Sequence, residues 1–130
     1  MKTALLLIPF ICGTAQAQIL SDFQLKKRLL VFPHADVEQL RQWEILKAQT
    51  VDRDLILLIL HTPPGEAYQA SPRINTELLE RLRPSPNKPT IFLIGKDGKT
   101  TLSWPQSEFT FSKLFAAIDA MPMRQREMKR

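Results

Sequence analysis

Three unbroken apolar runs constrain the architecture of this chain: RLLVF at residues 28–32, LILLIL at 55–60 and TIFLI at 90–94. Each is too short for an independent helix and lacks the alternation of a half-exposed strand. That pattern belongs to strands buried on both faces. Pro33 ends the first run, and from Asp36 the period becomes helical. Val37, Leu40, Ala48 and Val51 fall on one face with Trp43 at its margin, and Asp36 can serve as N-cap. HTPPGEAYQASP (61–72) reads as a loop whose last two residues form an N-cap followed by proline at the first helical position. Ile74, Leu78, Leu79 and Leu82 then make an apolar stripe, which RPSPNKP (83–89) stops with its prolines. KDGK (96–99) sets Asp-Gly between TIFLI and TTLSW (100–104), a tight-hairpin signal. Phe111, Leu114, Phe115, Ile118 and Met121 share one face of a last helix. The order is β-α-β-α-β-β-α, an α/β chain. Strands joined through a helix run parallel and the hairpin adds antiparallel neighbours, so the expectation is a mixed four-stranded sheet.

The N-terminus has another character. Lys2 precedes the apolar stretch ALLLIPFI (4–11), and AQA (15–17) supplies the small residues a signal peptidase reads. The stretch is broken by Pro9 and cannot cross a bilayer core, which needs about 20 apolar residues. The pattern predicts a signal peptide over residues 1–17, a mature chain starting at Gln18, no transmembrane segment after cleavage, and export to the periplasm or the cell exterior. Cys12 is the single cysteine and leaves with the leader. The mature protein is then expected to hold no disulfide, thiol or cysteine-ligated metal. Its stability rests on a packed core, with enough chain for one domain.

The net charge of +5 is concentrated at the other end. Residues Arg124 to Arg130 hold four basic side chains and one acidic one, leaving the body nearly neutral. That distribution argues against a nucleic-acid binder, which carries its basic stripe on the folded surface. Residues 124–130 read as a solvated, frayed basic tail, or alternatively as a weak anchor for anionic lipid or polyanion.

The element order resembles the thioredoxin-like core, and PTIFLIGKDGK (89–99) is similar to the proline-led strand and hairpin of thioredoxins and peroxiredoxins. More closely, RLLVF, the DRDL entry to the second strand (52–55), IGKDGK (94–99) and IDAMPMRQREM (118–128) resemble the DUF4174 domain family, found in exported bacterial proteins and in extracellular-matrix proteins of the sushi-repeat type. The resemblance implies a three-layer α/β/α sandwich over residues 18–123, a cis bond before Pro89 and no settled activity. An antioxidant role has been proposed for the family by analogy with peroxiredoxins. In the terminal motif Asp119, Met121, Pro122, Met123 and Arg124 stand out. Pro122 turns Met121 away from helical angles, Met123 can fill the gap beneath the helix end, and Asp119 and Arg124 can pair across the bend. The motif reads either as a lock seating the last helix or as a partner-docking element.

In a thioredoxin-like sheet one rim collects the ends of the first two strands and the start of the third. It would hold His34, Asp36, His61, Lys88 and Pro89, the candidate binding rim. Redox enzymes of this fold place their attacking cysteine after the first strand, where this chain has PHAD (33–36). Thiol–disulfide exchange is therefore not expected. His34 and His61 are the chain's two histidines. With Asp36 or Glu66 they form a candidate metal or acid–base site, or else are two exposed loop histidines. No cofactor is expected. No serine sits in a nucleophile elbow, GKDGKT is a hairpin rather than a phosphate loop, and Trp43, Tyr68 and Trp104 are not spaced as a stacking platform. Arg53 with Asp52 and Asp54 reads as a structural ion pair. Three functional readings result: a non-catalytic module binding a protein or envelope component, a thiol-independent enzyme or metal-binding protein of antioxidant type using His34 and His61, and a tail-driven adaptor. The oligomeric state is left open.

Overall fold

The structure is a computed structural model that describes residues 20–63 and 65–129. The leader read over residues 1–17, with Cys12, lies outside the described residues. All three apolar runs are strands: β1 (Arg28–Phe32), β2 (Leu55–Ile59) and β3 (Thr90–Ile94), joined by β4 (Thr100–Pro105). The order across the sheet is β2-β1-β3-β4. β1 runs parallel to β2, with Phe32 opposite Ile59, and antiparallel to β3. β3 and β4 form the expected hairpin, although the connection spans Gly95–Lys99 and is longer than a two-residue turn. Gly98 supplies the positive φ of 82° that this turn needs.

Successive side chains of β1 point to opposite faces, which sorts the core into two layers. Leu30 and Phe32 pack with Ile91, Leu93, Leu114 and Ile118 on one face, while Leu29 and Val31 pack with Ile74 and Leu78 on the other. The helices are α1 (Val37–Ile45), α2 (Lys47–Asp52), α3 (Pro72–Leu82), α4 (Phe111–Asp119) and α5 (Pro122–Met128). Asp36 caps α1 by accepting from Gln39 N, Ser71 caps α3 with Pro72 following, and Thr110 caps α4. The α/β three-layer sandwich is the expected one.

Two expectations need correction here. The single helix after β1 breaks at Leu46 (φ −92°, ψ 20°), so the face read through Val37, Leu40, Ala48 and Val51 is not continuous. Val37 and Val51 are exposed, and Trp43 and Thr50 are the buried positions. Of the tail read over residues 124–130, residues 124–128 are helical rather than frayed. Pro122 opens a further helix, and Arg124 is only 5% exposed. A proline at the first helical position loses no intrahelical hydrogen bond, so the residue that ends α4 also starts α5.

Candidate functional site

The parallel ladder between β1 and β2 continues past the strands, with Leu60 N donating to Phe32 O (2.9 Å) and His61 N to Pro33 O (3.2 Å). Phe32 and Ile59 are partners. The residues two further along each strand, His34 and His61, therefore emerge side by side with the same parity. Their rings stack with centroids 5.1 Å apart and planes 28° from parallel. Both are exposed. They line a cleft of about 410 Å³ with Pro33, Leu79 and Arg83 at the end of α3, and Pro84, Ser85 and Pro86. Arg83 closes α3 in the left-handed region (φ 44°, ψ 57°), its N–H donating to Leu79 O. Glycine normally takes this place.

Asp36, Lys88 and Pro89 lie in a neighbouring cleft of about 540 Å³, with Asn87, Thr90, Pro105, Gln106 and Ser107. The described residues contain no cis peptide bond, so the cis bond expected before Pro89 is not formed. At this second cleft, with Gln106 in its wall, is a pair of glutamines that the sequence reading missed. Gln106 Nε2 donates to His34 O (2.9 Å) and Gln39 Oε1 (3.2 Å), while Gln39 Nε2 donates to Gln106 O (3.0 Å). Gln106 N also donates to Pro89 O (2.8 Å). The amides thereby tie the loop after β1, helix α1 and the ends of β3 and β4 into one floor. Polar residues outside the apolar pattern carry no periodic signal, which is why they went unnoticed.

The rim thus gathers all five candidate residues, but in two clefts. The carboxylates proposed for a histidine metal site do not join the pair: Asp36 Oδ1 accepts from Gln39 N (2.9 Å), and Glu66 is not part of the cleft wall. Among the described residues no group of three or more His, Cys, Asp or Glu side chains is placed to hold a metal ion. Near-parallel stacked rings also aim their in-plane lone pairs along separate lines rather than at one point.

The opposite end of the sheet holds a denser arrangement. Arg28, 1% exposed, reaches Glu127 with both terminal nitrogens (3.3 and 3.2 Å) and donates to Arg53 O (2.9 Å). Lys96, 8% exposed, bridges Glu127 (2.6 Å) and Asp54 (2.7 Å). Arg124 pairs with Asp52 (2.5 Å) and with Asp119 (3.2 Å), the pairing across the bend read from the motif. Arg53 does not pair with its neighbours Asp52 and Asp54 as expected. It grips Asp119 through two contacts (3.1 and 2.8 Å) and lies over the Phe115 ring. Burial works to raise the Glu127 carboxyl, but hydrogen bonds from Lys96 and Arg28 outweigh it and hold the group below its ordinary 4.5. The Arg53 guanidinium, opposed by burial and helped by Arg124, holds Asp119 below its ordinary 3.8. Burial would lower Arg124, yet Asp52 and Asp119 keep it above its ordinary value.

Every charge in this lattice has a partner. Its members come from RLLVF, DRDL, IGKDGK and IDAMPMRQREM, the four segments that carried the family resemblance. The geometry is that of the lock, closing the last helix over the ends of β1 and β3. No helix among the described residues is long and apolar enough to cross a membrane.

A family model described as "Domain of unknown function (DUF4174)" matches residues 19–127. No curated protein matches the sequence. Among solved structures, the mitochondrial 2-Cys peroxiredoxin of Plasmodium falciparum shares 11% identity over 78% of this chain and 79% of its own, with a TM-score of 0.56. The reduced 2-Cys peroxiredoxin of Plasmodium vivax shares 12% over 82% and 72%, with a TM-score of 0.58. Thioredoxin peroxidase I of Plasmodium yoelii shares 15% over 82% and 79%, with a TM-score of 0.55. At these identities the likeness is one of fold, thioredoxin-like, and does not extend to chemistry.

Proposed function

The chain belongs to the DUF4174 domain family, and on that basis we propose that it is an exported, non-catalytic binding module that presents its rim to a protein or envelope component. The observation carrying this reading is the composition of the rim. Two open clefts stand where redox relatives of the fold keep a nucleophilic thiol, and no cysteine occurs among the described residues. The chain's one cysteine, Cys12, lies in the leader-like segment. A two-thiol cycle within one chain is ruled out by that count alone. The clefts are walled by prolines and furnished with hydrogen-bonding side chains, which suits capture of an extended segment more than turnover. Export is supported by the three-part pattern of residues 1–17.

The test is a crosslinking pull-down from the envelope fraction with the wild-type chain, His34→Ala and Lys88→Ala, alongside disulfide-reductase and peroxidase assays. The reading expects a partner lost in at least one variant and no activity in either assay. An unchanged partner set in both variants rejects the rim as the contact surface, and thiol-type turnover rejects the whole reading. Intact-mass measurement of exported protein should start at Gln18. The adjacency of His34 and His61 favours one alternative, a histidine-based metal or acid–base function. Stoichiometric zinc, copper or iron in untagged protein, lost in His34→Ala, would establish it.

A further inference from the structure

We infer that the cleft between His34, His61 and Arg83 is a specificity pocket for an acidic side chain, so that the rim's partner is a peptide segment carrying Asp or Glu at one end. This rests on the rim being a peptide-binding surface and adds what it selects. The residues lining this cleft include Arg83, His34, His61 and Ser85 and no Asp or Glu, whereas the neighbouring cleft is lined by both Asp36 and Lys88. One half of the rim is therefore cationic and the other balanced. Pro33, Pro84 and Pro86 have no N–H to offer, so much of the donor capacity lining the cleft rests on the side chains of Arg83, His34, His61 and Ser85. A guanidinium beside paired imidazoles is the donor set that recognises a carboxylate. The C-terminal dipole of α3 points toward the same cleft and opposes an anion. It amounts to about half a charge, less than the full charge of Arg83.

Two further observations agree. Arg83 occupies a left-handed position directly before a proline, where glycine would be unstrained and the residue before proline is additionally restricted. A long cationic side chain held there serves something other than helix termination. The strand order also sets His61, His34 and Pro89 at the rim ends of the neighbouring strands β2, β1 and β3, His61 and His34 just after their strands and Pro89 just before its own. Neighbouring strands lie about 4.8 Å apart and an extended chain advances about 3.3 Å per residue. A segment of roughly three or four residues spans from the histidine pair to Lys88, with its acidic residue at the histidine end.

The test uses the full processed chain and capped pentapeptides bearing a single Glu at successive positions, with Gln counterparts and inorganic phosphate as further probes. The chain has two histidines, so their ring-proton resonances report directly on the pocket. Glu peptides should bind at least tenfold tighter than their Gln counterparts and move both histidine signals. Arg83→Gln, and independently His61→Asn, should abolish the preference, bringing Glu-peptide affinity down to that of the Gln counterparts in the same variant. Equal affinity for Glu and Gln peptides overturns the pocket but keeps the rim. Peptides that bind nowhere near the histidine or Lys88 signals overturn both. Phosphate moving the histidine signals and displacing Glu peptides at equal concentration identifies a small-anion site and overturns the peptide assignment.

Discussion

Replacing Glu127 by alanine should destabilise this protein more than any other single change in its last nine residues. The carboxylate neutralises Arg28, which is 1% exposed, and Lys96, which is 8% exposed. Taking one partner from a buried ion pair costs about 3–5 kcal/mol, because the remaining charge stays out of water unpaired. Here each cation keeps a second acceptor, Arg28 the Arg53 carbonyl and Lys96 the Asp54 carboxylate. That argues for the lower end, about 3 kcal/mol, a large share of the roughly 5–15 kcal/mol that holds a domain together. Asp52 provides the contrast. Its side chain is 66% exposed, and Arg124 retains both Asp119 and the Asp52 carbonyl without it. Asp52→Ala should cost at most about 1 kcal/mol. Urea unfolding would show the difference as a lower midpoint at an unchanged slope, and thermal unfolding as a drop on the order of 10 °C for Glu127→Ala. A cost below about 1 kcal/mol for Glu127→Ala, or one equal to that of Asp52→Ala, would refute the lock and return these residues to a solvated tail.

Other outcomes follow from the same geometry. Glu127 and Asp119 both titrate lower in the folded chain than their ordinary 4.5 and 3.8. The stability they contribute is therefore complete above those values and is lost as pH falls through the lower folded values. Urea midpoints should hold from about pH 7 to 5.5 and fall steeply below about pH 4.5, less so in Glu127→Gln; a flat profile down to about pH 3 would contradict this. Arg83→Gly should stabilise the protein by up to about 1 kcal/mol, since the left-handed position costs a non-glycine residue about that much. A lower unfolding midpoint would mean that the Arg83 side chain contributes to packing. Thr110→Ala removes the hydroxyl that accepts from Lys113 N and should cost about 1 kcal/mol, seen as a lower urea midpoint; a change within error would show that α4 is held by its apolar face alone.

The layers of this fold were legible because apolar burial leaves a periodic trace. RLLVF and TIFLI needed no tertiary information to be read as buried strands, nor did the stripe from Phe111 to Ile118 to be read as a helix face. The break at Leu46 was not legible, because EILKAQ (44–49) carries no proline or glycine and permits either a continued or a broken helix. The buried charges were missed for a related reason. Arg28, Lys96 and Glu127 look like ordinary solvated residues in sequence, and nothing local distinguishes a cation that will be covered by a helix nearly a hundred residues away.

At the rim, sequence placed His34 and His61 after neighbouring strands, but the register decided that they would stack. The glutamine clamp arises from contacts between distant segments, Gln39 and Gln106 with the loop after β1. Hydrophobic pattern, turn residues and the lone cysteine are properties of short stretches, so the string of residues determined layer order, strand direction and the lack of a thiol pair by itself. Which charges are buried, which way the histidine rings face and how α5 is held depend on partners far apart in the chain, and only the folded arrangement brings those partners within a few ångströms.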